Sequence, residues 1–336
     1  MIPEKIQKTL KKQHYELVGQ HSAVQICKWT KNSLNGGSGC WKEKFYGIQS
    51  HRCCQFSPAV MWCENLCLHC WRPIEMNLGI NLGKEIDNPK EIIENIIKAR
   101  KKLLAGFGGN TKTEKKKLKE ALEPNFFTLS LSGEPTLYPK IDGLIKEIRK
   151  RGAISFLVTN GQNPDVIKKL ERNSALPTQL TLSLNSPNEK SFSIWHNSLR
   201  KDGWKRINET LKIMKSLKGK TRRIIRLTLV REGDKAEKKN REIVNMKPEH
   251  AKEYASLIKA AEPDFIHVKG FKSLGYSRQR MGYSKQPFYQ EVEKFSNLLL
   301  KELKNKGYKK LGEEKRSCVI LLGKDKSRMK IRKEEI

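Results

Sequence analysis

The chain has 336 residues, enough to bury the core of one large domain or two smaller ones. Sixty-eight Lys and Arg against 36 Asp and Glu leave a formal charge of +32, so the surface repels itself unless a polyanion screens it. Nucleic acid is the leading partner by this argument, and an anionic membrane surface is second. No apolar run reaches the ~18–20 residues that span a bilayer, and Met1 to Lys5 carry no hydrophobic signal region. A secreted or membrane-spanning protein is therefore not expected, and the cytoplasm is the expected location.

Residues 1–57 show little periodic pattern. They hold a Gly-rich stretch (Asn35 to Gly39) and widely spaced cysteines, and read as an irregular segment that needs a metal to hold it. From Pro58 the order changes. A short apolar strand is expected over Ala59 to Trp62, running into Cys63. A helix is expected over Asn88 to Leu104, with Asn88 as N-cap and Pro89 in the first position. Gly106 to Leu118 is Gly-rich and then Lys-rich, and reads as an exposed insertion. It is not a phosphate loop, because no Gly-Lys-Ser/Thr follows Gly106-Phe107-Gly108-Gly109. Strands are then expected over Phe126 to Leu131, Ile154 to Thr159, Gln179 to Leu184, Ile224 to Val230 and Phe265 to Lys269. Helices near 139–151, 164–172, 203–217 and 248–261 separate them. Strands separated by single helices pair in parallel through right-handed crossovers. About six units are visible, two fewer than a closed eightfold barrel. The expected fold class is α/β, a partial (βα)6 TIM-like barrel, with an N-terminal segment 1–57, a core 58–275 and a basic extension 276–336. Polar residues cluster after the strand C-termini, where such folds bind ligands.

Seven of the eight cysteines fall between Cys27 and Cys70. In a cytoplasmic chain, spaced cysteines read as metal ligands or redox groups rather than disulfides. Cys63-Glu64-Asn65-Leu66-Cys67-Leu68-His69-Cys70 spells C-x3-C-x2-C. Three thiolates can hold three irons of a [4Fe–4S] cube and leave the fourth open to a ligand. The alternative is a zinc knuckle with His69 as fourth ligand, although zinc sites usually pair C-x2-C with a second, distant pair. Cys27, Cys40 and Cys53, with twelve residues in each interval, are compatible with a second three-cysteine cluster. Zinc with His21 or His51, or three unrelated thiols, are the alternatives there. Cys54 adjoins Cys53 and competes with it.

C-x3-C-x2-C after a first strand resembles the signature of the radical S-adenosylmethionine superfamily. Ser132-Gly133-Glu134-Pro135 after the next strand is similar to that superfamily's Gly-Gly-Glu-Pro motif, with Ser for the first Gly. The resemblance implies that Ser132, Gly133 and Glu134 receive the amino group of the cofactor. Asn160, Ser183 and Asn185 stand where ribose or carboxylate contacts are expected. Cys27-x12-Cys40-x12-Cys53, nine residues before the second motif, resembles the tRNA 4-demethylwyosine synthases more narrowly. So do Cys40-Trp41-Lys42-Glu43-Lys44-Phe45-Tyr46-Gly47-Ile48, Ser50-His51-Arg52-Cys53 and Cys70-Trp71-Arg72-Pro73.

This resemblance covers about residues 20–290. It implies a lyase that condenses N1-methylguanosine 37 of tRNA-Phe with two carbons of pyruvate, forming the tricyclic base of the wyosine pathway. Two [4Fe–4S] clusters and S-adenosylmethionine are the implied cofactors. Cys63, Cys67 and Cys70 would ligate one cluster, and Cys27, Cys40 and Cys53 the other. The first cluster would cleave the cofactor to a 5′-deoxyadenosyl radical that takes hydrogen from the N1-methyl group. Pyruvate would be held by the second cluster's open iron or as a Schiff base, which needs an amine deprotonated by its surroundings. The resemblance points to Lys42, and Lys44 is the local alternative. Eukaryotic relatives carry a fused flavodoxin-like domain for which residues before Cys27 leave no room, so a separate electron donor of flavodoxin or ferredoxin type is expected. A methylthiotransferase, a methyltransferase and a non-catalytic zinc RNA-binding module are the competing readings.

Residues 200–250 hold seventeen Lys and Arg against seven acids. Residues 265–290 hold five Lys or Arg, no acid, and aromatics among them, including Tyr276 and Tyr283. Cations meet phosphates and rings stack on unstacked bases, so Tyr276, Arg278, Arg280 and Tyr283 are the expected RNA contacts.

Overall fold

The computed structural model describes residues 1–233 and 242–336. The basic run at 200–250 therefore lies partly outside the described residues. The chain opens with helix α1 (Glu4–Lys12) and strands β1 (Glu16–Val18) and β2 (Ser22–Gln25). Helices α2 (Lys28–Leu34) and α3 (Trp41–Tyr46) follow, and then strand β3 (Cys53–Ser57). The segment expected to be irregular is thus built of regular elements. They are too short to display a period in sequence: α1 buries only Ile6 and Leu10, one turn apart.

The strand expected over 59–62 is also absent. These residues are buried in a turn that follows β3, with the Val60 N–H on the His21 carbonyl (2.9 Å) and Met61 at φ 73°. A four-residue apolar run reports burial, and the strand itself lies one step earlier.

The elements that follow are α4 (Pro89–Leu104), α5 (Lys115–Ala121), β4 (Phe126–Leu129), α6 (Ile141–Lys150), β5 (Ile154–Thr159), α7 (Pro164–Arg172) and β6 (Gln179–Ser183). Then come α8 (Glu189–His196), α9 (Gly203–Ser216), β7 (Arg222–Leu229), α10 (Pro248–Ala261) and β8 (Phe265–Gly270). The last elements are α11 (Tyr276–Met281), α12 (Tyr289–Glu302), β9 (Lys309–Glu314) and β10 (Val319–Gly323). Strands β3 to β8 pair in parallel in chain order, giving the six-unit open barrel. β2 and β1 extend one edge antiparallel, and β10 and β9 extend the other.

Local chemistry explains the helices. The Asn88 side chain accepts from the Lys90 N–H (3.0 Å), and Pro89 opens α4. α6 buries Ile141, Leu144, Ile145 and Ile148, an i, i+3, i+4, i+7 stripe. Each such side chain contributes roughly 1.5–3 kcal/mol on burial. The Lys-rich run expected as an insertion forms α5, with Ala121 buried and Lys115, Lys116 and Lys119 in solvent.

Strand alternation divides the core. Phe127, Ile225 and Ile266 pack outward with the helices, whereas Phe126, Phe156, Ile224 and Phe265 pack inward against Phe45 and Tyr46 of α3. α3 therefore sits on the inner face of the sheet. Among the described residues, no helix is long and apolar enough to cross a membrane.

Candidate functional site

The loop carrying Cys63, Cys67 and Cys70 leaves the turn after β3 and is held by backbone from distant elements. The Cys63 N–H donates to the Gly79 carbonyl (3.0 Å). Leu66 and Leu68 donate to the carbonyls of His196 (2.8 Å) and Trp195 (2.9 Å), and Leu199 donates to that of Glu64 (2.7 Å). Arg280 donates to the carbonyls of Leu68 (3.1 Å), Cys70 and Arg72 (3.1 Å), and pairs with Glu75 (2.7 Å). Arg280, expected as an RNA contact, thus has its guanidinium engaged within the chain, where it braces the cysteine loop. Burial first, then neighbouring negative groups, pushes the Cys63 and Cys67 thiols well above their usual range. The Cys67 Sγ lies 3.0 Å from His196 Nδ1.

Gly133 shapes the motif beside this loop. It stands at φ 69°, and a β-carbon there would lie 2.0 Å from the Ala59 carbonyl oxygen and 2.6 Å from that of Trp62. No side chain fits, so the 132–135 turn lies directly on the 59–62 turn. The Ser132 carbonyl accepts from Ser57 Oγ, and the Glu134 N–H donates to the Trp62 carbonyl (2.7 Å). The buried Glu134 carboxylate accepts from Thr136 N–H (3.1 Å), Thr136 Oγ1 (2.7 Å) and Asn160 N–H (2.8 Å). Burial, and then the Glu64 charge, raise its pKa to about 7.

Asn160 Nδ2 donates to Glu64 (3.0 Å) and lies 3.6 Å from Cys63 Sγ. Asn185 Nδ2 meets His69 Nε2 (3.1 Å), and its Oδ1 accepts from Thr228 N–H (3.1 Å). Ser183 Oγ accepts from Arg226 (2.8 Å). Asn160 and Asn185 thus meet the Cys63–Cys70 loop, whereas Ser183 meets Arg226.

The second triad forms on the inner face of the sheet. Cys27 caps α2, with the Thr30 N–H on its Sγ (3.4 Å); Cys40 precedes α3; Cys53 opens β3. The Cys27 and Cys40 thiols both act electrostatically on Cys53, whose pKa burial raises. Cys53 packs with the inner cluster and Cys54 with the outer one, since adjacent strand residues face opposite ways. Cys54 is therefore turned away from Cys27 and Cys40.

Lys42 and Lys44 separate by the same kind of argument. Lys42 lies inward, its Nζ 5.1 Å from the Phe126 ring centre and 6.0 Å from that of Phe156. Lys44 is exposed and stands 3.7 Å from Glu314.

Of the remaining expected RNA contacts, Arg278 is exposed and stacks on Tyr283 at 4.8 Å. Tyr283 is 60% exposed, and Tyr276 is half-buried. A second pair, Arg231 on the exposed Phe288 ring at 5.1 Å, was not expected from sequence.

Comparison with known proteins extends this geometry. The profile of the radical SAM superfamily matches residues 58–239, and that of wyosine base formation matches residues 260–324. The chain is similar to the S-adenosyl-L-methionine-dependent tRNA 4-demethylwyosine synthase of Pyrococcus abyssi, with 42% identity over 325 residues, 96% of this chain and 90% of that protein. The synthase of Methanocaldococcus jannaschii is 36% identical over 327 residues, 96% of each chain. The chain belongs to the tRNA 4-demethylwyosine synthases. Its fold is similar to a solved structure of TYW1 with a lysine–pyruvate adduct bound, at TM-score 0.81 and 34% identity over 99% of both chains. It is also similar to archaeal TYW1, at TM-score 0.74 and 33% identity.

Membership sets aside the methylthiotransferase, methyltransferase and zinc-module readings, although Cys67, His69 and His196 have ligand atoms within 4.8 Å of one another. Synthases of this superfamily use S-adenosylmethionine and a [4Fe–4S] cluster. The first loop of this synthase fits such a cluster: it offers three thiols whose backbone is already satisfied elsewhere, so ligation need not reorganise it.

Sequence reasoning missed three inward residues. Arg226, His267 and Lys269 share the inner face with Ile224 and Phe265. Burial, followed by the Arg226 charge, lowers the Lys269 pKa to about 8. The signal was available: each is a titratable residue at a period-two position in an apolar strand. Arg100 was missed too. Its buried guanidinium donates to the carbonyls of His51 (2.7 Å), Cys53 (3.2 Å) and Ala121, fixing the start of β3.

Proposed function

We propose that this synthase condenses N1-methylguanosine 37 of tRNA-Phe with two carbons of pyruvate, and that it holds a second [4Fe–4S] cluster on Cys27, Cys40 and Cys53. The observation that carries the reading is the position of Lys42. It sits inside the sheet beside the second triad, where its charge acts on both Cys40 and Cys53. The solved relative with a bound lysine–pyruvate adduct supports the same reading. The Lys42 amine would attack the ketone carbon of pyruvate, water would leave, and the imine would fix the two retained carbons within the site.

When bound, the first cluster and S-adenosylmethionine supply a 5′-deoxyadenosyl radical, and the protein's own task is to orient the reactants and exclude water. Cys63, Cys67 and Cys70 would hold that cluster. The 132–134 backbone, Asn160, Ser183 and Asn185 would position the cofactor. The 276–283 face, with Arg278 stacked on Tyr283, is the proposed tRNA contact. The electron would come from a separate flavodoxin or ferredoxin.

The test incubates reduced, iron-loaded protein with S-adenosylmethionine, pyruvate and N1-methylguanosine tRNA, then weighs the nucleosides. The expected product is the tricyclic base, dependent on pyruvate. Formation of that base with no pyruvate present would refute the co-substrate.

A further inference from the structure

Toward the C-terminal ends of β7 and β8, the inner face of the sheet gathers Arg226, His267 and Lys269, and among the described residues none of them is in an ion pair with a carboxylate. Arg226 extends from β7, and among the described residues its side chain makes one hydrogen bond, from Nη2 to Ser183 Oγ (2.8 Å). Its Nε is buried without a partner. The ammonium of Lys269, from the neighbouring strand β8, has no hydrogen bond or ion pair among the described residues, and lies 6.0 Å from the Trp41 ring centre. Arg226 acts electrostatically on Lys269 and on His267, and Lys42 acts on both as well. His267 is committed on its other side to the Tyr46 hydroxyl. Among the described residues, no Asp or Glu is among the strongest electrostatic influences on Arg226, His267 or Lys269.

Half-buried cations without counter-charges, one of them with a buried, unpartnered Nε, are unfavourable unless an anion completes the site. The ligand class follows from the surroundings. Arg226 stands between the two cysteine triads, since its charge reaches His69 on one loop and Lys269, beside Cys40, at the other. A planar guanidinium matches the fork of a carboxylate, and an ammonium adds a second point charge. A ketone carbon held at Lys42 would place an adjacent carboxylate within this group of cations.

We propose that Arg226 and Lys269 form a carboxylate subsite that selects a short 2-oxo acid over a neutral ketone and orients it toward Lys42. The proposal rests on the reading of Lys42 above, and deepens it by assigning what recognises the end of the co-substrate that Lys42 does not hold. Ser183 braces Arg226 and is a positioning residue. Lower on the same face, by contrast, the inward Arg222 of β7 is balanced by Glu335 (3.1 Å).

The experiment uses the full iron-loaded protein and measures binding as well as turnover. Equilibrium dialysis with radiolabelled pyruvate reads the subsite directly, and borohydride trapping with pyruvate or acetone reads imine formation. Wild-type protein should be half-saturated by pyruvate at a concentration at least tenfold below that for acetone. Arg226→Gln should raise the pyruvate value about tenfold to a hundredfold, the effect of losing a charge-assisted hydrogen bond, and leave acetone trapping within twofold. Lys269→Gln should act in the same direction. Half-saturation by S-adenosylmethionine in reductive cleavage should stay within twofold. If pyruvate dialyses normally onto wild-type protein but no adduct is trapped, the Lys42 reading fails while the subsite stands. The subsite is overturned if wild-type protein shows no preference for pyruvate over acetone, a result independent of how the variants fold. It is also overturned if Arg226→Gln weakens S-adenosylmethionine and not pyruvate, which would assign the guanidinium to the cofactor's carboxylate.

Discussion

Gly133→Ala should be far more damaging than replacement of a glycine with similar backbone angles elsewhere. Gly152 makes the comparison, because it stands at φ 61° with nothing within 4 Å of a β-carbon. There, alanine meets only the left-handed conformational penalty, about 1–2 kcal/mol. At Gly133 (φ 69°) the same penalty applies, but the methyl group would also lie 2.0 Å and 2.6 Å from two backbone oxygens. Neither oxygen is the tip of a flexible side chain, so the two turns must part. Parting them breaks the 2.7 Å bond from Glu134 N–H to the Trp62 carbonyl, and a buried unpaired N–H costs about 1–3 kcal/mol. The total is roughly 2–5 kcal/mol for Gly133→Ala, a large share of the ~5–15 kcal/mol available to a folded domain. Urea unfolding of iron-free protein gives both losses on one scale, and 5′-deoxyadenosine release after iron loading reads the local consequence. Gly133→Ala should lose cleavage while Gly152→Ala keeps it. Equal stability losses for the two variants, with cleavage intact in both, would refute the close-contact argument.

Replacing Cys63, Cys67 and Cys70 together with Ala should remove about four irons and abolish cofactor cleavage, whereas replacing Cys27, Cys40 and Cys53 should remove about four and leave some cleavage; loss of all iron in either case would mean a single site. Borohydride with pyruvate should trap an adduct that Lys42→Arg loses and Lys44→Arg retains, read by intact-protein mass. Log affinity for tRNA should fall linearly with log salt, and Arg278→Ala should reduce the slope by roughly 0.7–0.9, whereas Arg280→Ala should instead lower iron content by loosening the Cys63–Cys70 loop. Glu134 has its pKa raised to about 7 in the folded chain, chiefly by burial. Its contribution to stability is fully present below the unfolded value of ~4.3 and is lost as pH rises through about 7. Glu134→Gln should therefore flatten the fall in urea midpoint of iron-free protein between pH 5 and 7, and an unchanged profile would count against the buried carboxyl.

The alternating part of the barrel was legible because its strands and helices are long enough to show their periods. Pro89, Pro164 and Pro248 mark helix starts, and each of the five helices expected from sequence matches its span to within two residues or so. The grouping of the cysteines could be proposed from spacing, yet spacing could not separate Cys53 from Cys54. The inner or outer face of a strand decides that, and the strand itself was placed too late because Ala59 to Trp62 are apolar for another reason. Arg280 illustrates the opposite limit. Its composition, basic among aromatics, matched RNA contact, while its actual partners are carbonyls more than 200 residues away in sequence, which no local pattern encodes.

That distance has a consequence for how the protein is made. The loop with Cys63, Cys67 and Cys70 leaves the ribosome early, but the His196 backbone that braces it follows about 130 residues later and Arg280 about 210 residues after Cys70. At ~5–20 residues per second, the three thiols wait roughly 10–40 s before their support exists. A cluster delivered during that interval would meet an unbraced loop, so iron insertion belongs after synthesis of the barrel, and the nascent thiols must meanwhile be kept reduced and free of stray metal.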